Sequence, residues 1–258
     1  MNRLLTKIQV RGTHDPHIRV AWIPGWGGTA HGLLPVLENC DWGTHCLLNP
    51  PELSQLQSEH ELTIGELADF VHSTLNEPWH IVGISMGGII AQCLALYHAK
   101  KVLSLHLCCT NTGGYQNPYG VNPAVQKIWF SKATDLEDPV LKILSPCFSL
   151  EAQKNGLLNK YAEHIRATPI QPSGRLLKLQ WQAMTKFGSQ DLVKNLQMPL
   201  HLYYGLMDQV VGYHDYSRLR GLLPLATTQE FNGGHMFFLE SAPSFLKVLR
   251  QRILSGLQ

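Results

Sequence analysis

The sequence has few of the features that mark membrane, secreted or nucleic-acid-binding proteins. Its 258 residues contain no run of roughly 18 apolar residues, the length that a membrane-spanning helix requires. The opening MNRLLTKIQVRG lacks the apolar core of a secretory signal. The 21 Lys and Arg residues are balanced by 19 Asp and Glu residues, so the net charge of +2 leaves no basic surplus for nucleic acid. We therefore expect neither a membrane nor a nucleic acid as a partner.

Cysteine and metal-ligand patterns are also sparse. Six cysteines are spread over the chain and no two form a CxxC pair, which argues against structural zinc and thioredoxin-like redox chemistry. His14 and His17 stand close together in HDPH, but a proline-containing surface turn with no third ligand nearby is the better interpretation. We expect no metal, no cofactor and a reducing, cytoplasmic compartment.

Short apolar segments alternate with helix-like segments through the first half of the chain. The strand-like segments are residues 19–23, 44–48, 80–83 and 102–109. The helix-like segments are residues 64–75, which follow a capping box formed by Thr63 and Glu66, and residues 86–98. This alternation predicts βαβ units and a mostly parallel sheet, whose ligands bind outside the carboxyl ends of the strands.

The alternation stops after residue 110. Residues 111–123 are rich in Asn, Gly and Pro, and helix-like segments follow to about residue 190, before a strand pattern resumes at LHLYYG. We predict an α/β core of residues 1–112 and 191–258, with a helical cap of residues 113–190. The cap has nine Lys and Arg against five Asp and Glu, whereas the core has twelve against fourteen. Such a cap either receives an acidic substrate or carrier, or is simply a solvated charged face.

Ser85 stands in the pentapeptide GISMG, between an apolar strand and an apolar helix. The pattern G-x-S-x-G at such a junction is typical of a nucleophile elbow, in which Gly83 and Gly87 allow the chain to approach itself closely. The turn lifts the serine hydroxyl clear of the sheet, and the helix that begins at Met86 directs N–H groups to the same space. Ser85 is therefore a candidate nucleophile, and an ordinary glycine-rich turn is the alternative.

A nucleophilic serine needs a base, and the base needs an orienting group. His235 lies in FNGGHMFF, between the last predicted strand and the last helix, where two glycines allow the chain to bend over the strand ends. Asp208 follows the strand LHLYYG and is the favoured acid. Asp215, expected on the following helix, and Glu240, on the far side of His235, are the alternatives.

The stretch PGWGG follows the strand-like residues 19–23, and its Trp26 N–H is placed to act as an oxyanion donor. The overlapping GWGGTA also satisfies the dinucleotide-binding fingerprint. That interpretation requires an acidic residue at the end of the next strand, where Asn49 stands, and it leaves the serine, the aspartate and the histidine unexplained. We therefore favour the oxyanion role.

The motifs PGWGG, GISMGG, YGLMDQVV and GGHMFF together resemble those of the α/β-hydrolase superfamily over nearly the whole chain. The resemblance implies a mostly parallel sheet flanked by helices, with a helical cap inserted after the sixth strand. It implies that Ser85 is the nucleophile, Asp208 the acid and His235 the base. The backbone N–H groups of Trp26 and Met86 would be the oxyanion donors.

Within the superfamily, the chain looks most like the pimeloyl-[acyl-carrier protein] methyl ester esterases of biotin synthesis. The likeness lies in the GWG after the first buried strand, the YGxxDxxV acid loop and the cap length. It implies a serine carboxylic-ester hydrolase that works through an acyl-enzyme on a small-molecule or carrier-linked acyl ester, with acyl carrier protein as a partner. Small carboxylesterases, enol-lactonases and thioesterases are alternatives, as is a non-catalytic ligand-binding protein of this fold.

Three features depart from that pattern. Pro24 precedes Gly25 where such hydrolases usually have His, and Asn49-Pro50-Pro51-Glu52 replaces the customary D-x-P-G-x-G-x-S. The carrier-binding esterases present arginines on the cap, whereas this cap has two arginines and several lysines, among them Arg166, Arg175, Lys142, Lys154 and Lys160. The resemblance therefore leaves the substrate range open.

Overall fold

The computed structural model describes residues 6–55, 61–114, 120–132 and 138–256. Within these ranges the chain forms one sheet of seven strands: β1 (Lys7–Arg11), β2 (His14–Ile23), β3 (Trp42–Leu48), β4 (Trp79–Ile84), β5 (Val102–Cys108), β6 (Leu200–Gly205) and β7 (Thr227–Phe231). The strand order is β1-β3-β2-β4-β5-β6-β7. β1 is antiparallel to β3, and every other neighbouring pair is parallel. The predicted α/β class with a mostly parallel sheet is confirmed.

Helices fill the connections between these strands. The described residues contain α1 (Ala30–Leu33), α2 (Ile64–Thr74), α3 (Met86–Tyr97), α4 (Pro123–Phe130), α5 (Pro139–Leu144), α6 (Leu150–Lys154), α7 (Leu157–Ala167), α8 (Gly174–Lys186), α9 (Tyr213–Leu222), α10 (Phe237–Glu240) and α11 (Ala242–Ser255). Short 3-10 turns lie at Leu34–Leu37, Leu53–Gln55, Ala99–Lys101, Ser145–Cys147 and Val193–Asn195. No described helix has both the length and the apolar character needed to cross a membrane.

Apolar side chains cover both faces of the sheet, which is why its central strands are mostly apolar in sequence. On one face, residues such as Ile81 and Leu105 pack with α2, α3 and α9. On the other face, Val82 and its neighbours pack with α1, α10 and α11. The predicted capping box opens α2, because the Thr63 side chain accepts from Glu66 N and the Glu66 carboxylate accepts from Thr63 N.

The described residues between β5 and β6 form five helices, α4 to α8, in the segment that the sequence predicted as a cap. This segment follows the fifth described strand and not the sixth, so that part of the prediction is wrong. The count of six came from the resemblance alone, whereas the described sheet has five strands before this segment: the parallel strands β2 to β5 and the antiparallel edge strand β1, which pairs with β3. An antiparallel bridge between Gly113 and Gly188 joins the two ends of the segment.

Residues 14–17, HDPH, belong to β2 and do not form the turn that the sequence suggested. The strand is irregular here: Asp15 has a positive φ of 46°, and the register shifts between His14 and Arg19. An irregular strand tolerates Pro16, which lacks the N–H that a regular ladder needs. Arg250 of α11 donates to Asp15 Oδ2 at 2.5 Å and ties this strand end to the last helix.

Three adjacent strands place buried histidines side by side: His80 on β4, His106 on β5 and His201 on β6. Ser104 Oγ lies 2.7 Å from His80 Nδ1 and 2.8 Å from His106 Nε2, and the rings of His106 and His201 stack at 4.6 Å. Burial lowers the pKa of His80 and of His201 to about 4. Burial also lowers the pKa of His106 well below its ordinary value. These rings are therefore neutral in the folded protein near pH 7.

We expect the free energy of unfolding to fall as the pH is lowered from about 6.5 towards 4. The unfolded chain binds protons on these histidines near pH 6.5, whereas the folded chain resists protonation, so each group costs up to about 1.4 kcal/mol per pH unit. Urea denaturation over this interval measures the slope. His201→Gln should reduce the slope, and His17→Gln, at an exposed position, should not. Equal slopes in the wild type and His201→Gln would contradict the explanation.

Candidate active site

Ser85 occupies the junction between β4 and α3 with φ 54° and ψ −117°. This backbone conformation is strained for a residue with a Cβ, and the surrounding chain holds it in place. A Cβ on Gly83 would lie 2.5 Å from Gly87 O, and a Cβ on Gly87 would lie 2.1 Å from Ile23 O. The two glycines therefore allow strand, turn and helix to approach more closely than any side chain would permit.

Contacts from β5 and the residues after it hold this elbow. Ser85 N donates to Cys108 O at 2.9 Å, and Thr110 Oγ1 donates to Ser85 O at 2.6 Å. Thr110 also packs against Gly88, where an added Cβ would lie 2.5 Å from the threonine side chain. Sequence reasoning missed Thr110, although its place directly after a buried strand is a signal that could have found it.

His235 and Asp208 form a buried pair. His235 Nδ1 lies 2.8 Å from Asp208 Oδ2, and the two side chains are 7% and 0% exposed. Asp208 Oδ1 accepts from the N–H groups of Val210 at 2.8 Å and Val211 at 3.0 Å. Because both carboxylate oxygens are engaged, the carboxylate is held in one orientation. A proton on Nδ1 that is donated to Asp208 leaves Nε2 free to accept another.

The other two carboxylates considered from the sequence have different partners. Asp215 Oδ2 accepts from Gly120 N at 3.3 Å. Glu240 Oε1 accepts from Gly234 N at 3.0 Å and from Ser149 N at 3.1 Å. In the described part of the chain neither carboxylate bonds to the histidine. Glu240 instead joins the loop before the histidine to the start of α6.

The charge on Asp208 controls the protonation of His235. Burial lowers the pKa of His235, but the Asp208 carboxylate and hydrogen bonds to Asp208 and Cys109 raise it. The resulting pKa is well above the ordinary value for histidine. Burial raises the pKa of the Cys109 thiol to about 11, so that thiol is neutral near pH 7. The carboxylate is therefore the group that stabilises a protonated imidazole here.

Cys109, Asp208 and His235 are the one set of described residues whose potential metal-ligand atoms converge, within 4.8 Å of one another. A cysteine binds metal as the thiolate, and burial disfavours that form of Cys109. Both oxygens of the carboxylate are already engaged in hydrogen bonds. The donor set fits a hydrogen-bonded acid–histidine pair better than a metal centre.

The two N–H groups predicted to receive an oxyanion belong to Trp26 and Met86. Met86 opens α3, where the first N–H groups have no partner inside the helix. Trp26 lies in the tight turn after β2, which a hydrogen bond from Gly28 N to Gly25 O closes at 3.0 Å. Together with Ser85, both residues line a cavity of about 20 Å³. A space of this size holds about one oxygen-sized group.

The dinucleotide alternative for GWGGTA has little structural support. The helix that follows, α1, spans only Ala30–Leu33. Asn49, just beyond the end of β3, accepts from Ala30 N through its Oδ1 at 2.8 Å and so packs against this turn itself. The position where that fingerprint needs an acid to hold a ribose is therefore an amide engaged in local structure.

A second cavity, of about 340 Å³, lies between the core and the helices α5, α7 and α8. Ser85, Trp26 and His235 line its core side, and most of the described cap residues that line it are apolar, including Val140, Ile143, Leu144, Ile165, Ile170 and Leu177. No Lys, Arg, Asp or Glu is among its described lining residues. A larger cavity of about 470 Å³ against α11 contains none of the predicted site residues. The site of interest therefore opens onto a largely apolar chamber, with His235 as the titratable group at its core side.

Comparison with known proteins supports the fold. A family model described as the alpha/beta hydrolase fold matches residues 62–242. A pimeloyl-[acyl-carrier protein] methyl ester esterase from Neisseria meningitidis is 23% identical over 253 residues, which cover 93% of this chain and 94% of that protein.

Two solved esterases share the fold. The esterase from Exiguobacterium antarcticum superposes with a TM-score of 0.77 at 14% identity, over 96% of this chain and 94% of that one. A thermophilic esterase from Thermogutta terrifontis gives a TM-score of 0.73 at 15% identity, over 97% and 93% of the two chains. At such identities the superpositions establish the fold, and the family match and the esterase relatives support hydrolase chemistry.

The close packing at the elbow predicts a specific cost for adding one methyl group. We expect Gly87→Ala to lower the free energy of unfolding by more than about 2 kcal/mol, because its Cβ would overlap the backbone of β2. Gly65→Ala is the matched control, since its Cβ would make only an ordinary contact, at 3.6 Å, at a half-buried position of α2. Urea denaturation of both variants measures the difference; equal stabilities would contradict the packing argument.

Proposed function

The chain belongs to the α/β hydrolase fold family, and on that premise we propose that it is a serine carboxylic-ester hydrolase that works through an acyl-enzyme. Four loops bring the required groups together, and each follows the carboxyl end of a parallel strand. Trp26 follows β2, Ser85 follows β4, Asp208 follows β6 and His235 follows β7. Trp26, Ser85 and His235 line one apolar chamber, and Asp208 bonds to His235 behind it; this convergence is the observation that carries the proposal.

In the first half of the proposed reaction, Ser85 Oγ attacks the ester carbonyl carbon while His235 Nε2 takes the hydroxyl proton. The negative charge that develops on the carbonyl oxygen is met by the N–H groups of Trp26 and Met86. Asp208 holds the ring through Nδ1 and stabilises its protonated form. No hydrogen bond joins Ser85 Oγ to His235 among the described residues. Catalytic hydrogen bonds of this kind often form only once the substrate is bound.

In the second half, the tetrahedral intermediate expels the alcohol, which receives the proton from His235, and the acyl group stays on Ser85. Water then enters, gives a proton to His235 and attacks the acyl carbonyl carbon. Collapse of the second intermediate breaks the bond to Ser85, whose oxygen recovers the proton. The products are an alcohol and a carboxylic acid, and no cofactor takes part in any step.

For the substrate, we propose an uncharged acyl chain presented as the methyl ester of a pimeloyl group on acyl carrier protein. The Neisseria relative is named for that ester. The chamber suits such a chain because its described lining is mostly apolar and contains no Lys, Arg, Asp or Glu. A role in biotin synthesis would place the protein in the cytoplasm, where its six cysteines would stay as free thiols.

The basic cap is the proposed docking surface for the carrier. Arg175 and Lys178 are exposed on α8, and Leu177 between them lines the chamber. An acidic carrier seated against this helix would bring its acyl chain to the chamber wall.

One observation favours free small esters as the alternative substrate class. Arg166 pairs with Asp138 inside the cap itself, so part of the basic charge is already neutralised. In this alternative the charges of the cap are only solvated surface charges. The chamber would then accept uncharged esters that reach it without a carrier.

We expect Ser85→Ala to reduce ester turnover by a factor of about 10⁴ or more, because the nucleophile is lost. Hydrolysis of 4-nitrophenyl butyrate, with circular dichroism to check the fold, measures the effect. Ser73→Ala, at an exposed position of α2, is the control and should match the wild type. Undiminished turnover in Ser85→Ala would overturn the proposed mechanism. An inert wild type that still binds a small ligand would point to the non-catalytic alternative.

The carrier proposal predicts an effect of cap charge on one substrate and not on the other. We expect the double variant Arg175→Glu, Lys178→Glu to lower kcat/KM for the carrier-linked pimeloyl methyl ester by about tenfold or more at low salt. The free methyl ester should be hydrolysed as before. Lys100→Glu, an exposed lysine in the 3-10 turn before β5, is the matched control. Equal effects on both esters would contradict carrier docking at α8.

A further inference from the structure

The turn that carries Trp26 is tied to the cap helix α8 by two hydrogen bonds. Trp26 Nε1 donates to Leu177 O at 2.8 Å, and Gly27 N donates to the side-chain Oε1 of Gln180 at 3.1 Å. The indole also packs against Trp129 and Trp181 of the cap, with ring centroids 5.3 and 5.5 Å apart. This turn, Gly25 to Gly28, is called the oxyanion turn below. It is therefore bound to the cap as well as to the core.

Gln180 is an unusual residue for its position. It lies on a cap helix, yet it is fully buried, and its Nε2 is buried without a hydrogen-bond partner among the described residues. It lines a cavity of about 20 Å³ with Pro24, Gly25 and Met86. A buried amide with one half unsatisfied is a poor choice for packing alone. The other half of the amide, Oε1, does have a partner, because it accepts the hydrogen bond from Gly27 N in the oxyanion turn.

The geometry of the turn explains what that oxygen does. Gly25 to Gly28 form a four-residue turn, and Gly27, the third residue, has the positive φ of 69° that a type II turn requires. The N–H of Gly27 belongs to the central peptide of this turn. An acceptor fixed against that N–H holds the central peptide in one orientation and, with it, the residue before it, Trp26.

We propose that Gln180 is a positioning residue: its amide oxygen holds the central peptide of the turn so that the Trp26 N–H faces the oxyanion. The cap then completes the catalytic site as well as covering it. The inference rests on the proposed function, since it assigns a purpose to a group beside the oxyanion donor. The hydrogen bonds to α8 also explain why the oxyanion turn tolerates Pro24 in place of the usual histidine, because α8 holds the turn.

Gln180→Met tests this assignment, because methionine keeps the length and the burial but cannot accept the hydrogen bond. We expect kcat/KM for 4-nitrophenyl butyrate to fall by about 10- to 100-fold, mostly through kcat, as for a misplaced oxyanion donor. The melting temperature should stay within about 4 °C of the wild type, since an unsatisfied buried amide is removed together with the lost hydrogen bond. Gln182→Met, on an exposed face of the same helix, is the matched control and should match the wild type.

A pair of inhibitors separates positioning from general loosening of the cap. A trifluoromethyl ketone accepts Ser85 Oγ at its carbonyl carbon while His235 takes the serine proton, so its oxygen becomes an oxyanion in the proposed hole. The matching methyl ketone binds in the same chamber as a neutral ligand. Gln180→Met should weaken the trifluoromethyl ketone by the same factor as kcat/KM and leave the methyl ketone unchanged. Equal weakening of both would mean a structural role and would overturn the inference.

A second variant keeps the test decisive if Gln180→Met does not fold. Trp26→Phe removes the indole N–H that reaches Leu177 but keeps the backbone N–H and the ring. It should also lower kcat and the affinity for the trifluoromethyl ketone, whereas a rise in KM alone would overturn the inference. If Ser85→Ala abolishes turnover and Gln180→Met retains it in full, only this inference is overturned. Absence of turnover in the wild type would overturn the proposed function and the inference with it.

Discussion

The site depends on one steric constraint, the close approach of β2, β4 and α3 around Ser85. The serine backbone adopts a positive φ of 54° there, and the chain on either side has no room for side chains at Gly83 and Gly87. The neighbouring strand contributes as well, since Cys108 O accepts from the serine N–H and Thr110 bonds to the serine carbonyl. The elbow is packed on three sides, so contacts with the core hold the strained serine backbone in place.

Around this fixed point, the remaining groups are held by contacts of two kinds. The acid–histidine pair is buried within the core, and its carboxylate orientation is set by backbone N–H groups of its own loop. The oxyanion turn and the histidine loop are also joined to the cap. Gln180 and Leu177 reach the turn, and Glu240 and Met236 N link the histidine loop to Ser149 and Cys147. The cap is therefore part of the framework that orients the site.

Much of the fold could be predicted from local pattern. The central strands are buried on both faces and are mostly apolar in sequence. The capping box at Thr63 appears as predicted because it joins neighbours in sequence. Long-range contacts explain one of the errors. HDPH contains a turn-like proline, yet pairing with β3 and the contact with Arg250 keep it in an irregular strand.

The sequence by itself determined the residue types and their order: a serine between two glycines at a strand–helix junction, then an aspartate and a histidine, each after a strand. Those signals are local because turn sterics and strand burial act over a few residues. Only the tertiary structure decided which of three carboxylates meets His235, that Cys109 lies beside it, and that Gln180 of the cap reaches the oxyanion turn. Such contacts join residues far apart in the chain, and packing of whole elements, which no short pattern records, sets their distances.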